Sequence, residues 1–209
     1  MKIKDRQRIT VRVNVGVDNF LSVPALIEDL STAGLQSGVS VYFAPLHNWG
    51  NSAGGDAISA EVFSQHELSW YASLLDKRFQ LGLIPSRKKQ VCLSLSPTSS
   101  VFDAYGDSFN CSELSQVPAY GTPNKHRLGN LKLIATTGKE RLYGDFNDKI
   151  ERNETTCKNC YCLPVCGGAC PKSWEDGNVP CPSYKFNFKQ RLLLQYAATS
   201  IPRPTQAGV

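Results

Sequence analysis

No window of the 209-residue chain approaches the roughly eighteen consecutive apolar residues that a membrane-spanning helix needs. The charged start, Met1-Lys-Ile-Lys-Asp-Arg-Gln-Arg, is not followed by the apolar core of a signal peptide. Neither export nor membrane insertion is therefore expected, and the expected location is cytoplasmic. Internal repeats and low-complexity tracts are absent. Dense basic blocks are absent too: 23 Lys and Arg against 18 Asp and Glu leave a net charge of +5, and Arg87-Lys88-Lys89 is the only tight run. A solvated turn accounts for that run, so no nucleic-acid partner is expected. What the chain has in quantity is thiol. Eight cysteines without an export signal imply a reducing compartment, where clustered thiols hold metal more often than they form disulfides.

Residues 8 to 15, Arg-Ile-Thr-Val-Arg-Val-Asn-Val, alternate and are rich in β-branched side chains, which predicts a strand. Ser22 is positioned as a helix N-cap with Pro24 in the first turn; Leu26, Ile27, Leu30 and Ala33 give that helix one apolar face before Gly34 stops it. Residues 39 to 45 read as the next strand. Strand, helix and strand at this spacing predict a βαβ unit with parallel strands. The polar loop that follows, beginning His47-Asn48-Trp49-Gly50, leaves the carboxyl end of a strand, the side on which parallel α/β sheets bind ligands. A second helix is expected to open at the capping box Ser64-Gln-His-Glu67, to carry Leu68, Tyr71, Leu74, Leu75 and Phe79 on one face, and to end near Gly82. Beyond Arg87–Lys89 the helical period disappears and Gly, Pro, Ser and Cys dominate, so the domain boundary is placed there: residues 1–88 and 89–209. Val101 to Cys111 reads as a hairpin turning at Gly106, the region of Gly121, Pro123 and Gly129-Asn130 as loop, and Phe186 to Ala197 as a terminal helix.

Five thiols fall in Cys157-Lys-Asn-Cys160-Tyr-Cys162-Leu-Pro-Val-Cys166-Gly-Gly-Ala-Cys170, and Cys181 follows. With Cys162 set aside, the run is Cys, two residues, Cys, five, Cys, three, Cys, then a gap to the last. Upstream, Cys92 is followed after thirteen residues by Gly106 and after four more by Cys111. Soft thiolates on short loops suit the corners of an iron–sulfur cluster. Gly167 and Gly168 permit close backbone approach, so that N–H groups can reach cluster sulfurs.

These spacings resemble the seven-cysteine signature of the SPASM domain, the auxiliary iron–sulfur module of many radical S-adenosylmethionine (radical-SAM) enzymes. The resemblance covers roughly positions 90 to 195. Residues 8 to 83 resemble, more weakly, the last part of that family's partial (β/α) barrel. The fold it implies is α/β: a C-terminal remnant of the barrel followed by a small, cysteine-rich, loop-dominated cluster domain. Two [4Fe-4S] clusters are implied, one on Cys157, Cys160, Cys166 and Cys181, the other on Cys92, Cys111 and Cys170. The second lacks a fourth cysteine, leaving an open iron, a carboxylate such as Asp103 or Asp107, or the otherwise spare Cys162 as alternatives. By the same resemblance, Arg12 and Asn14 lie on a strand facing the SAM pocket, while His47 and Asn48 lie on the substrate side.

The three-cysteine motif that holds the SAM cluster in that family does not occur in this sequence. The expectation is therefore the C-terminal portion of a longer peptide- or protein-modifying enzyme, with Met1 an internal or misassigned start. S-adenosylmethionine would be a cofactor only of the complete enzyme, and the isolated chain is not expected to cleave it. A ferredoxin or flavodoxin is implied as reductant, a peptide or protein as substrate, and self-association or poor solubility through the exposed edge of the half-barrel. Two other readings stand beside this one. The chain is otherwise a separate iron–sulfur electron carrier or partner protein, or a zinc-stabilised interaction module with Cys157, Cys160, Cys166 and Cys170 as ligands.

Overall fold

The computed structural model describes residues 9–47, 57–115, 117–133 and 142–200. They form a mixed α/β protein with two small sheets and no helix long and apolar enough to cross a membrane. The chain divides into two compact units, one drawn from Met1–Leu46, Asp56–Pro85 and Ser183–Val209, the other from His47–Gly55 and Ser86–Pro182. The first boundary lies close to the one read from composition. The second does not: the terminal helix, expected with the cysteine-rich part, packs instead with the first unit.

In the first unit, β1 (Ile9–Val15) pairs in parallel with β2 (Val39–Pro45), Ile9 opposite Val39 and Val15 opposite Pro45. The connection is α1 (Val23–Thr32), which completes the expected βαβ unit. Side chains of a strand alternate between faces, so Val39, Val41 and Phe43 are buried while Ser40 and Tyr42 are exposed. Ser22 precedes α1, but its hydroxyl makes no cap to the helix and donates to the Asn19 carbonyl at 2.8 Å. Its backbone is already helical, as part of a 3-10 turn at Phe20–Ser22. The capping geometry, which needs an extended residue, is therefore not available.

α2 (Ala60–Asp76) begins four residues before the expected capping box. Ser59 is the N-cap: its backbone is extended and its hydroxyl accepts from the Val62 N–H at 3.2 Å. The Ser64 hydroxyl donates to the Glu61 carbonyl at 2.6 Å, and Glu67 is turned inward, 1% exposed. Phe63, Trp70, Tyr71 and Leu74 share the buried face with them and join Val15, Ile27, Val41 and Phe43 in one core. The helix ends at Asp76 rather than near Gly82, and Phe79 and Leu83 enter the core from the segment beyond it.

α6 (Tyr184–Ser200), named in chain order, packs on α2 and is interrupted at Asn187, whose φ of −126° is not helical. The Asn187 amide donates to the Ser64 carbonyl at 2.8 Å and to Glu67 Oε2 at 3.1 Å, while its oxygen accepts from Arg191 Nε at 2.8 Å. Arg191 Nη2 lies 2.6 Å from Glu67 Oε2, Nη1 donates to the Leu83 carbonyl at 3.1 Å, and Nη2 reaches Ser183 Oγ at 3.4 Å. The Tyr71 hydroxyl donates to the other Glu67 oxygen at 3.2 Å. Burial, then the Glu67 charge, pushes the Tyr71 hydroxyl well above its ordinary range. A buried ion pair persists only when its remaining polar atoms are bonded in this way.

The second unit is built of turns around a three-stranded antiparallel sheet, ordered β3 (Val101–Phe102), β4 (Asp107–Phe109), β5 (Gly129–Asn130). The hairpin between β3 and β4 turns at Gly106, whose φ of 85° favours glycine. Gly129-Asn130, read as loop from the sequence, is instead the third strand: Ser108 pairs with Gly129 and Asp107 with Asn130. Two residues are too few to show a strand's period. The remaining helices are short: α3 (Phe146–Glu151), α4 (Leu163–Cys166) and α5 (Pro171–Glu175).

Candidate functional site

None of the eight cysteines is in a disulfide. Three of them enter the same local geometry from distant parts of the second unit. Cys92, Cys111 and Cys170 each have an extended backbone and each stands immediately before a short helical turn: Leu93–Leu95, Ser112–Leu114 and α5 respectively. The Cys92 and Cys170 charges both act on Cys111, which puts each of those two thiols within electrostatic reach of Cys111. Cys111 is buried with Phe109, Leu114 and Tyr143.

The Cys111 thiol is pushed up from its ordinary 9.0 to about 11. Burial is the largest cause. The Glu113 backbone N–H, donating to the sulfur, acts in the opposite direction, and the charges of Cys92, Cys170 and Glu113 raise it further. A folded-state value above the unfolded one means that the folded chain holds this proton more tightly. The associated stability is complete below pH 9.0 and is lost as pH rises towards about 11. In metal-free protein, the stability of wild type relative to Cys111→Ser is therefore expected to fall across that window. Urea melts of both chains at several pH values measure it, and a difference that stays flat contradicts the assignment.

Cys157, Cys160, Cys162 and Cys166 sit on a coil of consecutive turns, and Cys181 lies beyond it, after α5. The Cys160 N–H donates to the Cys157 carbonyl at 2.9 Å, Leu163 to Cys160 at 2.9 Å, Cys166 to Cys162 at 2.8 Å and Gly167 to Leu163 at 2.7 Å. Cys157, Cys160, Cys166 and Cys181 are partly exposed, whereas Cys162 is 2% exposed. After Cys166, three residues in succession have positive φ: Gly167 at 67°, Gly168 at 90° and Ala169 at 60°. The close approach expected of the two glycines is made to protein side chains. A Cβ on Gly167 would lie 2.4 Å from Val91 Cγ2, and one on Gly168 would lie 2.7 Å from Ile150 Cδ1 and 2.9 Å from Phe146 Cε1. Val91 adjoins Cys92 and Gly167 adjoins Cys166, so this contact draws the coil against the segment carrying Cys92. The Lys88 N–H, donating to the Pro164 carbonyl at 3.0 Å, holds the same two segments together.

Asp103 and Asp107, considered as ligands, are both committed to the hairpin. Asp103 Oδ1 accepts from the N–H groups of Tyr105 and Asp107, each at 2.9 Å, and Asp107 Oδ1 accepts from Arg127 Nη1 at 3.2 Å and Asn130 Nδ2 at 2.5 Å. Arg12 and Asn14 lie on the exposed face of β1 in the first unit, with Arg12 Nε donating to Asn14 Oδ1 at 2.9 Å and Tyr42 opposite Arg12. His47 is exposed, and Asn48 falls outside the described residues. Among the described residues, no group of three or more His, Cys, Asp or Glu side chains is already arranged to hold a metal ion.

Four residues around the first thiol group are not evident from the sequence. The Ser94 hydroxyl, on a residue 2% exposed, donates to Cys92 Sγ at 3.2 Å. The Asn110 side chain is 0% exposed and donates to the Leu142 carbonyl at 2.6 Å; its Oδ1 has no partner among the described residues. Tyr143, at a φ of 67°, donates to Glu175 Oε2 at 3.0 Å, and burial first, then Glu175 and Cys111, raises its hydroxyl far above the ordinary range. The nearest sequence signal is adjacency: Ser94 is two residues from Cys92 and Asn110 precedes Cys111.

Comparison of the chain with protein families, with curated proteins and with solved structures finds no match.

Proposed function

We propose that the second unit is a SPASM-type module holding two auxiliary [4Fe-4S] clusters, acting within radical-SAM modification of a peptide or protein. The observation that carries this reading is the convergence of Cys92, Cys111 and Cys170. Cys92 and Cys170, from distant parts of the unit, each come within electrostatic reach of Cys111, and these are the three that the resemblance assigns to one cluster. The donor chemistry fits: soft thiols, none of them in a disulfide, with N–H and O–H groups of the chain already directed at Cys111 and Cys92. Because no complete ligand cage stands ready among the described residues, binding is coupled to a local closing of the thiols, as is common where metal affinity and folding are linked.

Cys157, Cys160 and Cys166, on partly exposed residues of one coil, would hold the other cluster together with Cys181. Asp103 and Asp107 are poor fourth ligands for the first, since detaching either would cost the hairpin its hydrogen bonds. When bound, such clusters transfer single electrons or present an iron to a donor atom of the substrate. The exposed face of β1 carrying Arg12 and Asn14 would be the wall towards S-adenosylmethionine, which the complete enzyme binds, and His47 and Asn48 would lie towards the substrate. A ferredoxin or flavodoxin would supply electrons.

The test is anaerobic reconstitution of the full chain with iron and sulfide. About eight irons per chain are expected, with broad visible charge-transfer absorbance. Cys111→Ser should remove about half of the iron, and Cys162→Ser should remove none. One tightly bound zinc without sulfide would establish the zinc-module reading instead. Clusters that form and serve a separate radical-SAM subunit would favour the electron-carrier reading.

A further inference from the structure

We infer that the Ser94 hydroxyl tunes the reduction potential of the centre held by Cys92, Cys111 and Cys170, by donating a hydrogen bond to the Cys92 sulfur. This inference rests on the cluster reading above and assigns a role to a residue outside the cysteine pattern.

The geometry is specific. Ser94 lies in the 3-10 turn that follows Cys92, is 2% exposed, and directs its hydroxyl at Sγ across 3.2 Å. A protonated thiol is a weak acceptor, whereas a thiolate makes a charge-assisted bond, so this contact gains most when Cys92 is anionic, as a ligand must be. The hydroxyl is also held in position. Asn110, wholly buried and next to Cys111, donates to the Ser94 carbonyl at 3.5 Å and to the Leu142 carbonyl at 2.6 Å. One amide thereby ties together the segments that carry Cys92, Cys111 and Tyr143.

Reduction of an iron–sulfur cluster adds negative charge that is shared by its sulfurs. A donor aimed at one of them stabilises the reduced form more than the oxidised form and raises the potential. Cys111 receives its donor from the Glu113 backbone N–H, which no side-chain substitution removes. At Cys92 the donor is a side chain, and the effect can be isolated. Ser94 acts through Cys92 and is a positioning residue.

The experiment is a redox titration of the reconstituted full chain, followed by electron paramagnetic resonance, with the relevant signal identified as the one missing from Cys111→Ser. Ser94→Ala is expected to shift that signal to a more negative potential at unchanged iron content, while Ser94→Thr, which keeps the hydroxyl, restores the wild-type potential. Thr and Val have nearly the same shape. If Ser94→Ala fails to fold, Ser94→Thr against Ser94→Val carries the same comparison, with Val expected at the lower potential. An intact cluster whose potential is the same with and without the hydroxyl overturns the inference. Absence of any cluster from wild-type protein overturns the cluster reading, a result distinguishable from the first.

Discussion

Glu67→Gln is expected to destabilise the first unit by about 3–5 kcal/mol. Glu67 and Arg191 are 1% and 6% exposed, so the charge left on Arg191 would have little access to water and, among the described residues, no other ion-pair partner. Gln preserves the shape and one acceptor, so the loss reports the charge rather than a cavity. Arg191→Met should cost a similar amount for the converse reason: it strands the carboxylate, and it also removes the bonds to the Leu83 carbonyl, Ser183 and Asn187. The double variant Glu67→Leu with Arg191→Met should recover the part of the loss due to a stranded charge, because no unpaired ion is left, while the bonds to the Leu83 carbonyl, Ser183 and Asn187 stay lost. Urea denaturation of wild type, Glu67→Leu, Arg191→Met and the double variant gives the coupling directly. A coupling below about 0.5 kcal/mol would show that the two groups are solvated and independent.

The second large effect falls at Gly167. Replacement by Ala places a Cβ 2.4 Å from Val91 Cγ2, closer than two carbons can stand, on a backbone with φ of 67°. Left-handed strain of roughly 1 kcal/mol for a residue with a Cβ and an overpacking cost of about 1–3 kcal/mol sum to about 2–4 kcal/mol. Val91 cannot swing aside cheaply, because its branched Cβ leaves few rotamers. Val91→Ala in the same chain should therefore return the overpacking part and leave only the strain. Gly144→Ala, with nothing within 4 Å and no positive φ, is the control and should change stability by less than about 1 kcal/mol. Thermal unfolding of the metal-free chain measures all three. Equal losses at Gly167 and Gly144 would mean that the close approach to Val91 does not exist.

These two sites also show how far the sequence could be read. The β1, α1 and β2 order was legible because period-two alternation, β-branched content and an apolar stripe are local properties. α2 was recognised, but its start was misplaced because Ser64 and Glu67 imitate a capping box. Their true partners, Asn187 and Arg191, lie more than a hundred positions away, and no local rule connects them. The same long-range pairing explains why the terminal helix was assigned to the wrong unit. The glycines at 167 and 168 were correctly read as places of close approach, but the neighbours were not knowable: Val91, Phe146 and Ile150 are set by tertiary packing. The grouping of Cys92, Cys111 and Cys170 is what the family resemblance implies, not something their spacing alone dictates. Ser94 and Asn110 have no pattern of their own and emerge only from the hydrogen bonds they make.

The chain leaves the first unit after Pro85 and returns at Ser183, and one guanidinium, that of Arg191, bonds to Leu83 just before the departure and to Ser183 at the return. In architectural terms the thiol-bearing segment is an insert in a host domain, with its two junctions stapled together. Tethering both termini removes roughly 4 kcal/mol of loop-closure entropy from the insert's unfolded state.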